Sequence, residues 1–126
     1  MLYIVDMNVM NKKYERYIEY IVNDIEPPYL KSLEPYGLKQ EEIDLVLGIV
    51  FNQPVTIKGN WVYNTDDNRI YGEDSDGYWY KNEFDQYGNN IYYENSDGYW
   101  YKEEFDQYGN RVYYEDSDGN IIDNRR

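Results

Sequence analysis

The chain contains no cysteine and no histidine. The first absence excludes disulfides, thiolate nucleophiles and cysteine zinc sites, and the second removes the commonest general base and transition-metal ligand. Most familiar hydrolase chemistry goes with them. Positive charge is also scarce: 12 lysines and arginines stand against 25 aspartates and glutamates, a formal charge of −13. Phosphate backbones and anionic membranes should repel such a chain. Long apolar runs are missing as well, since no stretch approaches the ~20 apolar residues needed to span a bilayer. In the opening segment, MLYIVDMNVMNKK, the lysines follow the apolar residues, the reverse of the order in a signal peptide. These features predict a soluble cytoplasmic protein that binds neither nucleic acid nor membrane directly. Its 126 residues allow one compact domain, or a small domain with an appendage.

Aromatic residues are abundant. Eighteen tyrosines, three tryptophans and three phenylalanines make up 19% of the chain, far too much apolar surface for an acidic disordered tail. A folded protein is expected. Its charge is uneven: residues 59–126 carry sixteen acids and six bases, residues 1–58 only nine and six. The C-terminal half therefore holds the anionic surface.

That half is repetitive. EDSDGYWYKNEFDQYGNNIYY, from Glu73 to Tyr93, recurs as ENSDGYWYKEEFDQYGNRVYY, from Glu94 to Tyr114, and begins again as EDSDGN at Glu115, a period of 21 residues. A degenerate copy precedes them from Gly59 to Gly77. Each unit holds two turn signals, Asp85-Gln86-Tyr87-Gly88 and Asn95-Ser96-Asp97-Gly98, with Asp or Asn first to bond its own backbone and Gly fourth to take a positive φ. The unit reads as a two-stranded hairpin. Strands are predicted at Trp61–Asn64, Arg69–Gly72, Tyr78–Phe84, Asn90–Glu94, Tyr99–Phe105 and Arg111–Glu115, forming an antiparallel meander. Alternation puts Tyr78, Tyr80 and Phe84 on one face and Trp79, Lys81 and Glu83 on the other, so one face needs a cover.

The N-terminal segment can supply it. Three-and-four spacing of Tyr14, Tyr17, Ile18, Ile21, Val22 and Ile25 predicts a helix over Asn11–Ile25 that Pro27-Pro28 halts. A helical turn over Tyr29–Leu33 and a second helix over Gln40–Phe51 follow, the latter apolar around most of its circumference and so central to the core or to a homodimer contact. The expected fold is α+β: a head of two to three helices, residues 1–56, packed on an antiparallel meander of 21-residue hairpin repeats, residues 57–126, together one compact unit. The end, Asp123-Asn124-Arg125-Arg126, is expected to be loosely ordered.

The pattern Phe84-Asp85-x-x-Gly88-Asn89-x-Ile91, then Ser96-Asp97-Gly98, then Phe105-Asp106-x-x-Gly109-Asn110-x-Val112, resembles the YD repeats of RHS-type proteins. What this resemblance implies is local hairpin structure, because three copies cannot close the shells that such proteins build. The whole layout also resembles small early proteins of phages and prophages. In size and charge it is similar to the acidic inhibitors of host defence nucleases, the anti-CRISPR and anti-restriction proteins, which implies action in a host cell's cytoplasm.

The remaining constellations are weighed by geometry. Asp74, Asp76, Gly77 and Glu83 fall at calcium-loop spacing, as do Asn95, Asp97, Gly98 and Glu104, but the first ligand position holds Gly72 or Tyr93 and no helices flank either loop. An Asp-Gly turn explains the same residues without metal. Ser75, Ser96 and Ser117 have no histidine to activate them, and adjacent carboxylates on a strand point to opposite faces. No catalytic residue, metal site or cofactor is expected. The tyrosine-rich units bear a loose likeness to choline- and glucan-binding modules, which implies a carbohydrate-binding alternative.

The reading that remains is a non-enzymatic binding protein. It uses Asp74, Asp76, Glu83, Glu94, Asp97, Glu104, Glu115, Asp116 and Asp118 as a phosphate-like array against a basic protein surface such as the nucleic-acid channel of a defence protein. Asp76, Asp97 and Asp118 would recur every ~10 Å along one sheet edge, two strands apart. A self-assembling β-repeat module, or a calcium- or carbohydrate-binding repeat, is the alternative.

Overall fold

The computed structural model describes residues 12–126, with side chains from residue 18 onward. Helix α1, Lys12–Asp24, is followed by the short α2, Tyr29–Leu33, a single 3-10 turn, Glu34–Tyr36, and α3, Gln40–Phe51. Eight strands complete the chain: β1 Thr56–Lys58, β2 Trp61–Tyr63, β3 Arg69–Glu73, β4 Trp79–Phe84, β5 Asn90–Asn95, β6 Trp100–Phe105, β7 Arg111–Asp116 and β8 Ile121–Asp123. They form one antiparallel sheet in sequence order. The α+β expectation of a helical head followed by a meander therefore holds. β1 and β8 are edge strands that the sequence reading did not place.

Local chemistry accounts for the elements. Pro27 and Pro28, which cannot continue a helix, separate α1 from α2. The N–H of Lys39 donates to the Glu42 carboxylate at 2.9 Å, one half of a capping box at the start of α3. Each hairpin turn of the repeats ends on a glycine with φ between 84° and 90°, at Gly77, Gly88, Gly98, Gly109 and Gly119, a conformation that costs a Cβ-bearing residue of the ordinary kind about 1 kcal/mol or more. The register slips by one residue between β2 and β3, β4 and β5, and β6 and β7, leaving Ile70, Ile91 and Val112 as the extra residue each time.

The core lies between the head and the first half of the sheet. Ile18 and Ile21 of α1, Tyr29 and Leu33 of α2, and Val46 and Leu47 of α3 pack on Val62, Ile70 and Tyr71, with Trp79 and Phe84 at the margin. Val46 and Leu47 are fully buried, as the apolar girth of α3 requires. The Tyr29 ring meets Phe51 edge-on at 5.6 Å and Tyr71 at 5.3 Å. Cross-strand partners share a face, so the register Val62↔Tyr71↔Lys81↔Glu94 carries the head-bearing face onward beyond the head. Among the described residues the cover is thus partial.

Among the described residues no helix is long and apolar enough to cross a membrane. The C-terminal residues depart from the loose end expected of them: Asn124 N–H donates to the Val112 carbonyl at 2.8 Å, and Arg125 bonds Asp123 at 2.9 Å and Glu104 at 3.1 Å. The extra strand β8 and these side-chain bonds tie the end to the sheet.

Candidate functional site

Because the meander is antiparallel throughout, the turns 74–77, 95–98 and 116–119 lie at one end of the strands and the turns 85–88 and 106–109 at the other. The acids sought as a contact array divide into three groups by what their carboxylates touch.

The first group builds the turns. Asp74 Oδ1 accepts the N–H groups of Asp76 and Tyr78 at 2.9 and 3.0 Å. Asp116 does the same for Asp118 and Asn120, and its other oxygen accepts the Asn120 side-chain amide and the Tyr114 hydroxyl. Asp116 is only 6% exposed. The Asn120 amide and the Tyr114 hydroxyl stabilise its charged form and hold its pKa below the usual carboxylate range. Asp116 is therefore turned inward and engaged by its own turn, because the closing turn needs an acceptor there.

The second group is free. Asp76, Asp97 and Asp118 are exposed at the second-last position of their turns, and their side chains take part in no ion pair among the described residues. Two of the turns are also joined to the strand beside them: Ser96 Oγ accepts the Trp79 N–H at 3.2 Å and Ser117 Oγ the Trp100 N–H at 3.1 Å, while the turn of Asp76 is closed by the Asp74 bonds. The serines are turn fasteners.

The third group, Glu83, Glu94, Glu104 and Glu115, stands on the strands and on the face that carries the head. Glu104 is paired with Arg125 at 3.1 Å, which removes part of its charge from the array. Glu115 accepts the Tyr113 hydroxyl at 2.7 Å. Glu94 and Glu83 line a shallow groove of about 560 Å³ with Lys81, Tyr92 and Lys102.

An important acid was not singled out from sequence. Glu73, 6% exposed, accepts the N–H of Leu30 at 3.1 Å, the N–H of Lys31 at 2.8 Å and the Tyr71 hydroxyl. Tyr71 oxygen in turn accepts the Tyr29 N–H at 2.9 Å. Together they satisfy the first three orphan N–H groups of α2 and place a carboxylate at its positive end. Burial, and then the bond to Glu73, push the Tyr71 phenol well above its ordinary pKa. In its immediate sequence, Glu73 differs from Glu94 and Glu115 in following Gly72 where they follow a tyrosine, a difference that does not itself point to α2.

The opposite face carries a ring ladder. Trp61, Tyr80, Tyr93, Tyr101 and Tyr114 follow one another with centroids 5.8, 6.3, 5.3 and 6.2 Å apart, the last three steps stacked. The Arg69 guanidinium lies 4.1 Å over Trp61 at one end and that of Arg111 5.0 Å over Tyr114 at the other. The rings turn their faces on one another, so few ring faces are left open for a sugar. Among the described residues no group of three or more acids is arranged to hold a metal ion. No protein-family model matches the chain, and no curated protein matches it either.

Proposed function

We propose that the chain is a non-enzymatic binding protein whose acidic strand-end border occupies a basic, nucleic-acid-binding channel of a partner, in the manner of the small phage-encoded inhibitors of host defence nucleases that it resembles. The observation that carries this reading is the trio Asp76, Asp97 and Asp118: exposed, without ion pairs among the described residues, and held on hydrogen-bonded turns at one end of consecutive hairpins. Two strands separate each from the next, about 10 Å at ~4.8 Å per strand. The contact border is the row of turns rather than an outer strand of the sheet. Glu94, next to the 95–98 turn, adds charge beside it, whereas Glu83 stands near the other end of β4.

The test is capture of a partner from a host lysate, followed by a salt series and a charge variant. Asparagine at positions 76, 97 and 118 keeps the turn chemistry and removes three charges. Binding should weaken steeply with ionic strength, compete with duplex DNA and be lost in the triple variant while the fold survives. Full-strength binding by the folded triple variant overturns the reading. A second reading, self-assembly, is favoured by β8, an open edge with Ile121 61% and Ile122 47% exposed. Salt-insensitive association of the chain with itself would support it.

A further inference from the structure

The place where α2 sits on the sheet occurs again one hairpin further on. In the first, Tyr71 pairs with Lys81 and Glu73 with Trp79 across β3 and β4. In the second, Tyr92 pairs with Lys102 and Glu94 with Trp100 across β5 and β6, giving the same four residue types in the same register on the same face. A third begins across β7 and β8, where Tyr113 faces Asp123 and Glu115 faces Ile121. The lysines even hold the same posture: Lys81 lies 5.3 Å from the Trp79 ring and Lys102 5.3 Å from that of Trp100.

What each place holds differs. The first seats the chain's own segment Pro28–Lys31: Glu73 and Tyr71 take its three N–H groups, and Lys81 lies 5.6 Å from the Tyr29 ring. The third has lost its lysine and tryptophan, and the Arg125 guanidinium lies 4.1 Å over its tyrosine. In the middle, neither the Tyr92 hydroxyl nor the Glu94 carboxylate has a hydrogen bond or ion pair among the described residues. The groove of about 560 Å³ opens at this place, lined by Lys81, Tyr92, Glu94 and Lys102.

We propose that this middle seat docks the first turn of a helix from another protein, one whose first helical residue is aromatic and follows a proline. The chemistry is set by the occupant of the first seat. Three orphan N–H groups and a partial positive charge at a helix start match a free carboxylate and a phenol oxygen. An aromatic first residue fills the space over Tyr92 and lies beside Lys102, as Tyr29 lies beside Lys81. Proline before it gives up no N–H bond and presets the entry of the chain. This seat is on the sheet face rather than the row of turns, and it does not rest on the acidic-border reading.

The probe is a capped synthetic peptide of residues 26–36, EPPYLKSLEPY, titrated into isotope-labelled full-length protein whose own head remains seated. Without the support that Phe51 gives Tyr29, the affinity should be weak, with Kd on the order of 0.1–1 mM. Amide shifts should centre on β5 and β6. Glu94→Gln should weaken binding by about fivefold or more, since an amide nitrogen would face backbone donors, while Glu115→Gln should leave it unchanged. A peptide with alanine for its first tyrosine should not bind. Matching spectra of the free variants establish that they fold. Absence of β5 and β6 shifts at ~5 mM peptide, equal binding by Glu94→Gln, or shifts confined to α2 and β3 through displacement of the head would overturn the proposal.

Discussion

Glu73→Gln tests how the head is joined to the sheet. The substitution keeps the shape of the side chain but replaces one oxygen by an NH2 group. In the native fold the two carboxylate oxygens accept the N–H groups of Leu30 and Lys31 and the Tyr71 hydroxyl. An amide can accept with its single oxygen only, so one donor is left facing another donor in a site where the residue is 6% exposed. A hydrogen bond to a charged group contributes about 1.5–3 kcal/mol, and an orphaned buried donor costs about 1–3 kcal/mol. The three bonds form one network and do not add, so the expected loss is about 3 kcal/mol. With a urea m-value of about 1.5 kcal/mol/M, the unfolding midpoint should fall by about 2 M at unchanged m. Glu94→Gln is the internal control: the same substitution at the corresponding position one hairpin on, with no donor lost, should move stability by less than about 0.5 kcal/mol. Equal destabilisation by the two variants, or a Glu73→Gln midpoint near that of the native chain, would refute the capping argument.

Three further outcomes follow from the geometry. Alanine at Gly72 would put a Cβ into the Trp61 ring, so Gly72→Ala should cost about 1–3 kcal/mol and red-shift tryptophan emission, whereas undisturbed emission would mean the ring has room to yield. Asp106, Asp116 and Asp123 have pKa values held below the carboxylate range, chiefly by Asn110, Asn120 and Arg125 respectively, Asp123 at about 2. Their stabilisation is present above the unfolded pKa near ~3.9 and disappears as pH falls toward 2, so circular dichroism should show acid unfolding in that window, shifted to higher pH in a variant with Asp116→Ala. Tyr71, Tyr78 and Tyr114 have raised pKa values, Tyr78 about 12 through its bond with Tyr93. A raised phenol pKa stabilises the fold fully below ~10, and that contribution is lost as pH rises from there through the folded pKa, about 12 for Tyr78, so absorbance at 295 nm should show a late-titrating fraction that coincides with alkaline unfolding; a single titration at the ordinary pKa would contradict the network.

The elements legible in the sequence are those set by near neighbours. Asp or Asn first and Gly fourth define the turns through bonds two and four residues long, such as those of Asp74 and Asn95, and the three helices follow apolar spacing and the prolines. β1 and β8 have three residues each and neither repeats the sequence of another strand, whereas the equally short β2 is found through the degenerate copy of the repeat that contains it. The candidate acids were harder to sort. Glu73 gains its role from Leu30 and Lys31, more than forty positions away, and Glu104 loses charge to Arg125 at a separation of 21. Neither fact is encoded beside the residue concerned. Asp116 belongs to the contact array expected from sequence, but the turn it builds draws it in.

Among the described residues the head braces one end of the open sheet. Val62, Ile70 and Tyr71 are locked into the core, whereas β5 through β8 are held by their lateral neighbours and by the ring ladder. Strands so arranged behave as a one-dimensional chain of coupled units, each stable because the one before it is. Such a molecule has a direction. Opening is expected to start at β8, held at its end only by the bonds of Asn124 and Arg125, and amide protection should decline step by step with distance from the head. The middle groove and the free turns of β5–β8 lie on this graded stretch, so a partner that clamps them stabilises most the strands that are otherwise first to open.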